Sequence, residues 1–518
     1  MPKTTGALGL SQFLAATKFA RHVATRHRVY LTINPTQLNF TTHTSCNSPD
    51  IVQQISIKAS IMGDKAPSLK RPHTQDRAVS PPPVKRRQTS TTTPKAVAEF
   101  FKPSSQKAQE PEKIGWTIVQ ESLLIGTYQA STATPLAESH GPRRLAIFDL
   151  DGTLITPASG NKFGRDASDW KWWNSGVPTT LRELHEKGYL VAIVSNQSGI
   201  NLNSKAADKA PKTDNKRLET FKSKATAILS QLNLPISIYA ATAKDEFRKP
   251  RPGMWRQLLD SNDLGGPGKV DMAKSFFVGD AGGRPATSGS KKKDFSCSDR
   301  DFAANIGIPF FTPEEYFLGE EPKPFVRDFD PTEYLGQGAG ATTDAVSQFS
   351  EKKNPVDVVL FCGSPGAGKS SFFWRHLKPL GYERVNQDTL KTRDRCLKVA
   401  AEHLAEGVSV VVDNTNADAE TRAHWVKLAQ KHKVPIRCVL FTAPAKLCEH
   451  NDAVRALSAS EQLNPEQRSM LPKLAFTSFV SRFRQPTKDE GFQELVEVDF
   501  VFEGDDAARE TWGQFWIS

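Results

Sequence analysis

No acidic side chain occurs before Asp50, although Lys3, Lys18, Arg21, Arg26 and Arg28 fall in that stretch. The imbalance persists to residue 110, with 16 Lys/Arg against 5 Asp/Glu. That surplus equals the +11 net charge of the whole 518-residue chain, so everything beyond residue 110 is neutral overall. A polyanion bound there must be met by local cation clusters, because the long-range field is weak. There is no apolar run long enough to span a bilayer, which leaves no membrane-spanning helix to expect. Cysteine is scarce as well: Cys46, Cys297, Cys362, Cys396, Cys438 and Cys448 show neither disulfide-framework nor metal-type spacing, a pattern that suits a reducing compartment.

The basic N-terminal region has two distinct parts. The segment "LSQFLAATKFARHVATRHRVYL" winds into a basic amphipathic helix of the kind found in mitochondrial presequences. Residues 63–110 are rich in Ser, Thr, Pro, Lys and Gln and are expected to be disordered. Within them Lys70-Arg71 and Lys85-Arg86-Arg87 stand at bipartite nuclear-import spacing, so the nucleus is the expected location, with the mitochondrion as a second one. "AVAEFFKP" resembles the aromatic end of sliding-clamp-binding peptides, with Pro94 in place of the usual Gln.

Length alone argues for two to four domains. From about residue 111 to 335, "RRLAIFDL", "LVAIVSN", "ISIYAAT" and "SFFVGDA" read as buried parallel strands alternating with helical patterns. Residues 336–355 form a Gly/Ala/Ser-rich linker. A second alternation fills 356–518, with "DVVLFCG", "VSVVVDN" and "IRCVLFT" as strands. The expected fold class is α/β: two tandem parallel-sheet domains after a disordered tail spanning residues 1–110.

"RRLAIFDLDGTL" places Asp149 at the end of a buried strand and Asp151 two residues on. Ligands in open α/β sheets sit at the carboxyl ends of strands, so both carboxylates face the crevice. One can attack phosphorus while the other protonates the leaving alcohol. Attacker and phosphate repel, which calls for a bridging Mg²⁺. Ser195 and Asn196 in "VSNQSG" can receive phosphoryl oxygens, Lys249 in "FRKPRPGMW" can neutralise the phosphate, and Asp280 in "VGDAGGR" supplies a further metal carboxylate.

Taken in this order, the residues resemble the haloacid dehalogenase superfamily of phosphatases. "VGDAGGRPATSGSKKKDFSCSDRDFAANIGIPFFTPEEYF" is similar to the phosphatase domain of polynucleotide kinase 3′-phosphatases. The resemblance implies Asp149 as nucleophile, Asp151 as general acid–base, and a metal held by Asp149, Asp280 and the backbone carbonyl of Asp151. Arg284, Lys291, Lys292, Lys293 and Arg300 make a local cluster suited to a nucleic-acid backbone. Trp170, Trp172 and Trp173 in "DWKWWN" suit core packing better than stacking on an unpaired base.

"DVVLFCGSPGAGKSSFF" is a strand, a loop and the start of a helix, and it fits GxxxxGK[ST]. Gly363, Ser364, Pro365, Gly366, Ala367 and Gly368 turn backbone N–H groups on nucleotide phosphates, Lys369 reaches the β/γ oxygens, and Ser370 can hold Mg²⁺. A kinase must also deprotonate an acceptor hydroxyl. Asp388 in "VNQDTL" is the expected base, with a helix-capping role as its alternative. Asp413 ends a strand as a second metal carboxylate, and Arg455 stands as a lid arginine.

"GSPGAGKS", "NQDT" and "DNTNADAETR" resemble the 5′-kinase domain of the same family. The forkhead-associated domain of its animal members is missing, and "LKTRDR" lacks the aromatic expected after Asp388. The resemblance implies a monomeric end-healing enzyme that hydrolyses 3′-phosphates and uses ATP to phosphorylate 5′-hydroxyl ends of broken DNA. An RNA-repair enzyme, a phosphatase with a silent kinase half, and a small-molecule phosphatase fused to a metabolite kinase are the alternatives.

Overall fold

The structure is a computed structural model. It describes residues 114–130, 141–202, 212–286, 293–335, 349, 351–458, 463–464 and 466–517, together with an antiparallel pair of two-residue strands, Tyr30–Leu31 and Thr42–His43. The amphipathic, nuclear-import and clamp-binding readings of the tail lie outside the described residues.

Seven strands form the first sheet: β1 (Ile114–Val119), β2 (Leu123–Tyr128), β3 (Leu145–Phe148), β4 (Leu190–Asn196), β5 (Ile236–Ala241), β6 (Phe276–Val278) and β7 (Phe310–Phe311). Their spatial order is β7-β6-β3-β4-β5-β2-β1. The five from β7 to β5 run parallel, and β2 and β1 close that edge antiparallel. Alternation along β3 explains its burial on two faces. Ala146 and Phe148 meet Leu181 of α1 (Val177–Glu186) and Ile228 of α2 (Lys212–Leu232). Leu145 and Ile147 meet Leu258 of α3 (Gly253–Ser261) and Phe302 of α4 (Ser298–Ile306). Each large side chain buried in this way contributes roughly 1.5–3 kcal/mol.

The β1–β2 hairpin was not expected from the sequence. Its turn uses Gln120 (φ 47°) and Glu121 (φ 56°), both left-handed, a conformation usually signalled by Asn-Gly or Asp-Gly.

The second sheet has five parallel strands in the order β9-β10-β8-β11-β12. These are β8 (Val358–Cys362), β9 (Glu383–Val385), β10 (Val410–Val412), β11 (Ile436–Phe441) and β12 (Glu494–Val498). The loop after β8 enters α5 (Lys369–Phe372), which continues as a π-helical turn, Phe373–Leu377. Then come α6 (Gln387–Leu390), α7 (Arg393–Ala405), α8 (Ala419–His432), α9 (Ala445–Leu457), α10 (Lys473–Arg482) and α11 (Asp506–Trp512). Val358, Leu360 and Cys362 pack towards α7 and α8, while Val359 and Phe361 pack towards Phe373, Cys448 and Phe476. The fold is α/β, with one mostly parallel and one fully parallel sheet, each covered by helices on both faces.

All five cysteines among the described residues are buried free thiols, and no described helix is long and apolar enough to cross a membrane.

Candidate phosphatase and kinase centres

Asp280, Asp149, Ser195/Asn196 and Lys249 follow or end four neighbouring strands, β6, β3, β4 and β5. Sheet order therefore gathers residues from four separate motifs at one carboxyl edge. The Lys249 ammonium lies 2.6 Å from Asp149 Oδ1 and 2.8 Å from Asp299 Oδ1, and it donates to the Val194 carbonyl at 2.9 Å. Burial pushes the Asp149 carboxyl up to about 7 against the downward pull of Lys249. Burial acts to lower Lys249, but Asp149 and Asp299 outweigh it and hold its pKa above the ordinary lysine value. Asp280 is also raised, first by burial and then by its neighbours Asp149 and Asp299.

Ligand oxygens of Asp149, Asp280 and Asp299 lie within 4.8 Å of one another. Three clustered carboxylates against one ammonium are a hard-oxygen donor set that fits a divalent cation. Asp299 was not expected from the sequence. It reaches the cluster because Gly279 has no side chain: a Cβ there would stand 2.5 Å from Asp299 Oδ2. Its Oδ2 accepts from the Ala281 N–H at 3.0 Å, so the residue also fixes the Asp280 turn.

The Asp151 carboxylate turns away from this cluster. It accepts from Gln197 Nε2 at 2.6 Å and pairs with Lys224 on α2 at 3.1 Å. Gln197 Nε2 also donates to Ser195 Oγ at 2.9 Å, tying the two expected catalytic side chains together.

In the second sheet, the Gly363–Ser370 loop bridges β8 and α5. Gly366 (φ +76°) is required: a Cβ there would lie 2.2 Å from the Cys448 carbonyl oxygen. Lys369 Nζ donates to the Gly363 and Ser364 carbonyls at 3.0 and 2.6 Å, and burial lowers its pKa. Ser370 Oγ donates to Asp413 Oδ2 at 2.8 Å, a hydroxyl–carboxylate pair able to hold a divalent cation. Arg384, unforeseen from the sequence, donates through Nε to the same Asp413 oxygen at 2.7 Å and through Nη2 to Ser370 Oγ at 3.0 Å. A cavity of about 1390 Å³ opens over this loop, and Asp388, Asp413, Arg455 and Arg468 line it. Two candidate centres thus lie on two sheets of one chain.

Residues 144–317 match the family model described as polynucleotide kinase 3 phosphatase, and residues 358–486 match an AAA domain model. A Schizosaccharomyces pombe protein, "Bifunctional polynucleotide phosphatase/kinase", is 37% identical over 398 residues, covering 77% of this chain and 87% of that protein. The chain belongs to the bifunctional polynucleotide phosphatase/kinase family. A Saccharomyces cerevisiae "Polynucleotide 3'-phosphatase" is 30% identical across 35% of this chain and 90% of that protein.

For a polynucleotide phosphatase/kinase, several expected residues sit otherwise than the sequence suggested. The Asn196 side-chain amide is engaged with the lysine loop. Its Oδ1 accepts from the Lys249 N–H at 3.0 Å and its Nδ2 donates to the Lys249 carbonyl at 3.2 Å, so it holds the backbone of the lysine loop. Arg284 and Arg300 are withdrawn from the expected nucleic-acid cluster. Arg284 pairs with Asp294 (2.9 Å) and Glu314 (2.6 Å), and Arg300 donates to the Gly282 carbonyl and packs 3.9 Å from the Phe325 ring centroid. Lys293 is exposed; Lys291 and Lys292 lie outside the described residues.

Trp170 and Trp172 meet edge-on at 5.3 Å and pack on the core. The most exposed described aromatics of this half are instead Phe163 (74% exposed) and Phe295 (90%), with Lys162 Nζ 5.3 and 5.4 Å from their ring centroids. In the kinase half, Asn386 caps α6 by accepting from the Asp388 N–H at 2.7 Å, which frees the exposed Asp388 carboxylate from a capping duty. Arg455 pairs with Asp452 along α9 beside the cavity.

Proposed function

We propose that this chain heals broken DNA ends, removing 3′-phosphates at the first centre and phosphorylating 5′-hydroxyls with ATP at the second. The observation that carries this reading is the pairing of a Lys249-neutralised Asp149 with a nucleotide loop and an exposed carboxylate, Asp388, in one chain. Asp149 Oδ attacks phosphorus as the bond to the 3′-oxygen breaks, and Asp151 gives that oxygen its proton. Water then attacks the aspartyl-phosphate with Asp151 taking a proton, which releases phosphate and restores Asp149. Lys249 offsets charge on both the nucleophile and the acyl phosphate, and Gln197 keeps Asp151 oriented.

Mg²⁺ is the ion proposed at both centres, where it shields the negative charge that the attacking oxygen must approach. Asp149, Asp280 and Asp299 would hold it in the first, Ser370 and Asp413 in the second. At the second centre the 5′-oxygen attacks the γ-phosphorus of ATP, Asp388 accepts the hydroxyl proton, and ADP departs. Lys369 and Arg455 serve the phosphates.

Unpaired bases near a 3′ end find a stacking surface in Phe163 and Phe295, with Lys162 and Lys293 for phosphates. The place of action proposed is the nucleus, on the basis of the two basic clusters in the tail.

One nicked duplex carrying a 3′-phosphate and a 5′-hydroxyl, incubated with Mg²⁺ and γ-labelled ATP, tests the proposal. Loss of the 3′-phosphate with label gained at the 5′ end is expected. Phosphate loss without label would reduce the reading to a phosphatase, and turnover of RNA ends alone would reassign the substrate.

A further inference from the structure

The two halves touch at a point directly behind the phosphatase lysine. Asn305, on α4, donates through Nδ2 to the Pro250 carbonyl at 2.8 Å and to the Phe515 carbonyl at 2.9 Å. Its Oδ1 accepts from the Phe515 N–H at 2.8 Å. One amide therefore completes three hydrogen bonds, joining the residue after Lys249 to the segment that follows α11 in the kinase half.

That segment is itself held. The Phe515 ring is buried and lies 4.7 Å from the guanidinium of Arg327, which donates to Asp301 on α4 at 2.8 Å. Trp516 is buried and donates to the Thr511 carbonyl at 2.8 Å. The lysine loop is thus clamped by two asparagines. Asn196 grips residue 249 from the sheet, and Asn305 grips residue 250 from the side of the kinase. Helix α4 also carries Asp299, the second carboxylate on the Lys249 ammonium, so one helix sets both the backbone and the charge of that lysine.

We propose that Asn305 is a positioning residue of the phosphatase: braced by the Phe515 backbone of the kinase half, it holds the Lys249–Pro250 loop so that the ammonium stays on Asp149. This rests on the reading of Asp149 and Lys249 as the phosphatase centre. Reacting groups displaced by about 1 Å can lose a hundredfold in rate, so loosening one of two clamps is expected to lower kcat by about tenfold.

The test uses the full chain with Asn305→Ala and Asn305→Asp. The aspartate keeps an acceptor for the Phe515 N–H but cannot donate to the Pro250 carbonyl. In both variants phosphatase kcat on a 3′-phosphate oligonucleotide is expected to fall about tenfold, with KM within twofold, 5′-kinase kcat unchanged and the melting temperature lowered by no more than about a few degrees. Unchanged phosphatase kcat in Asn305→Ala overturns the proposal. So does a joint fall of both activities and of melting temperature, which would make the contact general adhesion between the halves. An Asn305→Asp variant that behaves as wild type also overturns it, because the bond to Pro250 would then be dispensable. Lys249→Ala is the control: if it retains 3′-phosphatase activity, the reading of the centre itself fails, whereas an inactive Lys249→Ala beside a normal Asn305→Ala removes only the clamp.

Discussion

A Cβ on Gly152 would stand 2.5 Å from Asp280 Oδ2. The turn after Asp149 and the carboxylate after β6 approach so closely only because one of them has no side chain. Gly152 also sits at φ +89°, where other residues are strained. Gly152→Ala is therefore expected to displace Asp280 and lower 3′-phosphatase kcat at least a hundredfold, while 5′-kinase kcat stays within twofold. Parallel assays of the two activities on one preparation check this. Equal loss of both would show that the glycine serves the whole fold.

The raised Asp149 carboxyl gives a signed pH dependence. A folded-state value near 7 above an ordinary 3.8 means that the native state holds this proton more tightly than the unfolded chain. The group therefore favours the fold at low pH and costs stability as pH rises from about 4 to about 7, by on the order of 4 kcal/mol in total. A divalent cation among the carboxylates offsets that cost. Mg²⁺ is expected to raise the melting temperature more at pH 8 than at pH 5, and Asp280→Asn is expected to shrink the difference. Differential scanning calorimetry reads both, and an equal Mg²⁺ effect at the two pH values would contradict it.

Phe163 and Phe295 are large, apolar and exposed on either side of Lys162. Base-on-aromatic stacking is worth about 1–3 kcal/mol per base. Replacing both by Ala should raise KM for single-stranded 3′-phosphate oligonucleotides about tenfold or more and leave hydrolysis of p-nitrophenyl phosphate unchanged. A shift of both substrates together would place the rings in the fold instead.

Asp413 is 2% exposed, and the guanidinium of Arg384 is its cationic partner among the described residues. Removing one member of a buried pair leaves a charge without compensation, at a cost of about 3–5 kcal/mol. Arg384→Ala is expected to destabilise the kinase half by about that amount in urea unfolding, with Mg²⁺-ATP restoring part of it by taking the place of the lost cation. If Mg²⁺-ATP gives no more protection to the variant than to wild type, Arg384 and the metal do not share the Asp413 site.

Where a residue's chemistry is local, the sequence made it legible. The apolar runs ending in Asp149, Asn196 and Cys362 are strands because their alternating faces are both buried, and the glycine loop follows from spacing alone. Partners distant in sequence were not visible. Asp299 joins the centre through a gap that Gly279 leaves, and Arg284 is neutralised by Glu314, thirty positions away. Asn196 has the right type and place for a phosphate ligand, yet spends its amide on a backbone that comes alongside only once β4 and β5 pair. The hairpin escaped notice because Gln120 and Glu121 occupy positions that usually select glycine or asparagine.

The bond between Asn305 and Phe515 spans 210 positions. A ribosome making some 5–20 residues each second releases the phosphatase sheet well before the brace behind its lysine exists. Until residue 515 has been added and the second sheet has closed, the nascent chain carries every phosphatase side chain, with Asn305 on the Lys249–Pro250 loop but without the Phe515 backbone that braces it. Under the role proposed for Asn305, premature termination in the kinase half is expected to leave that asparagine unbraced and the Lys249–Pro250 loop slack.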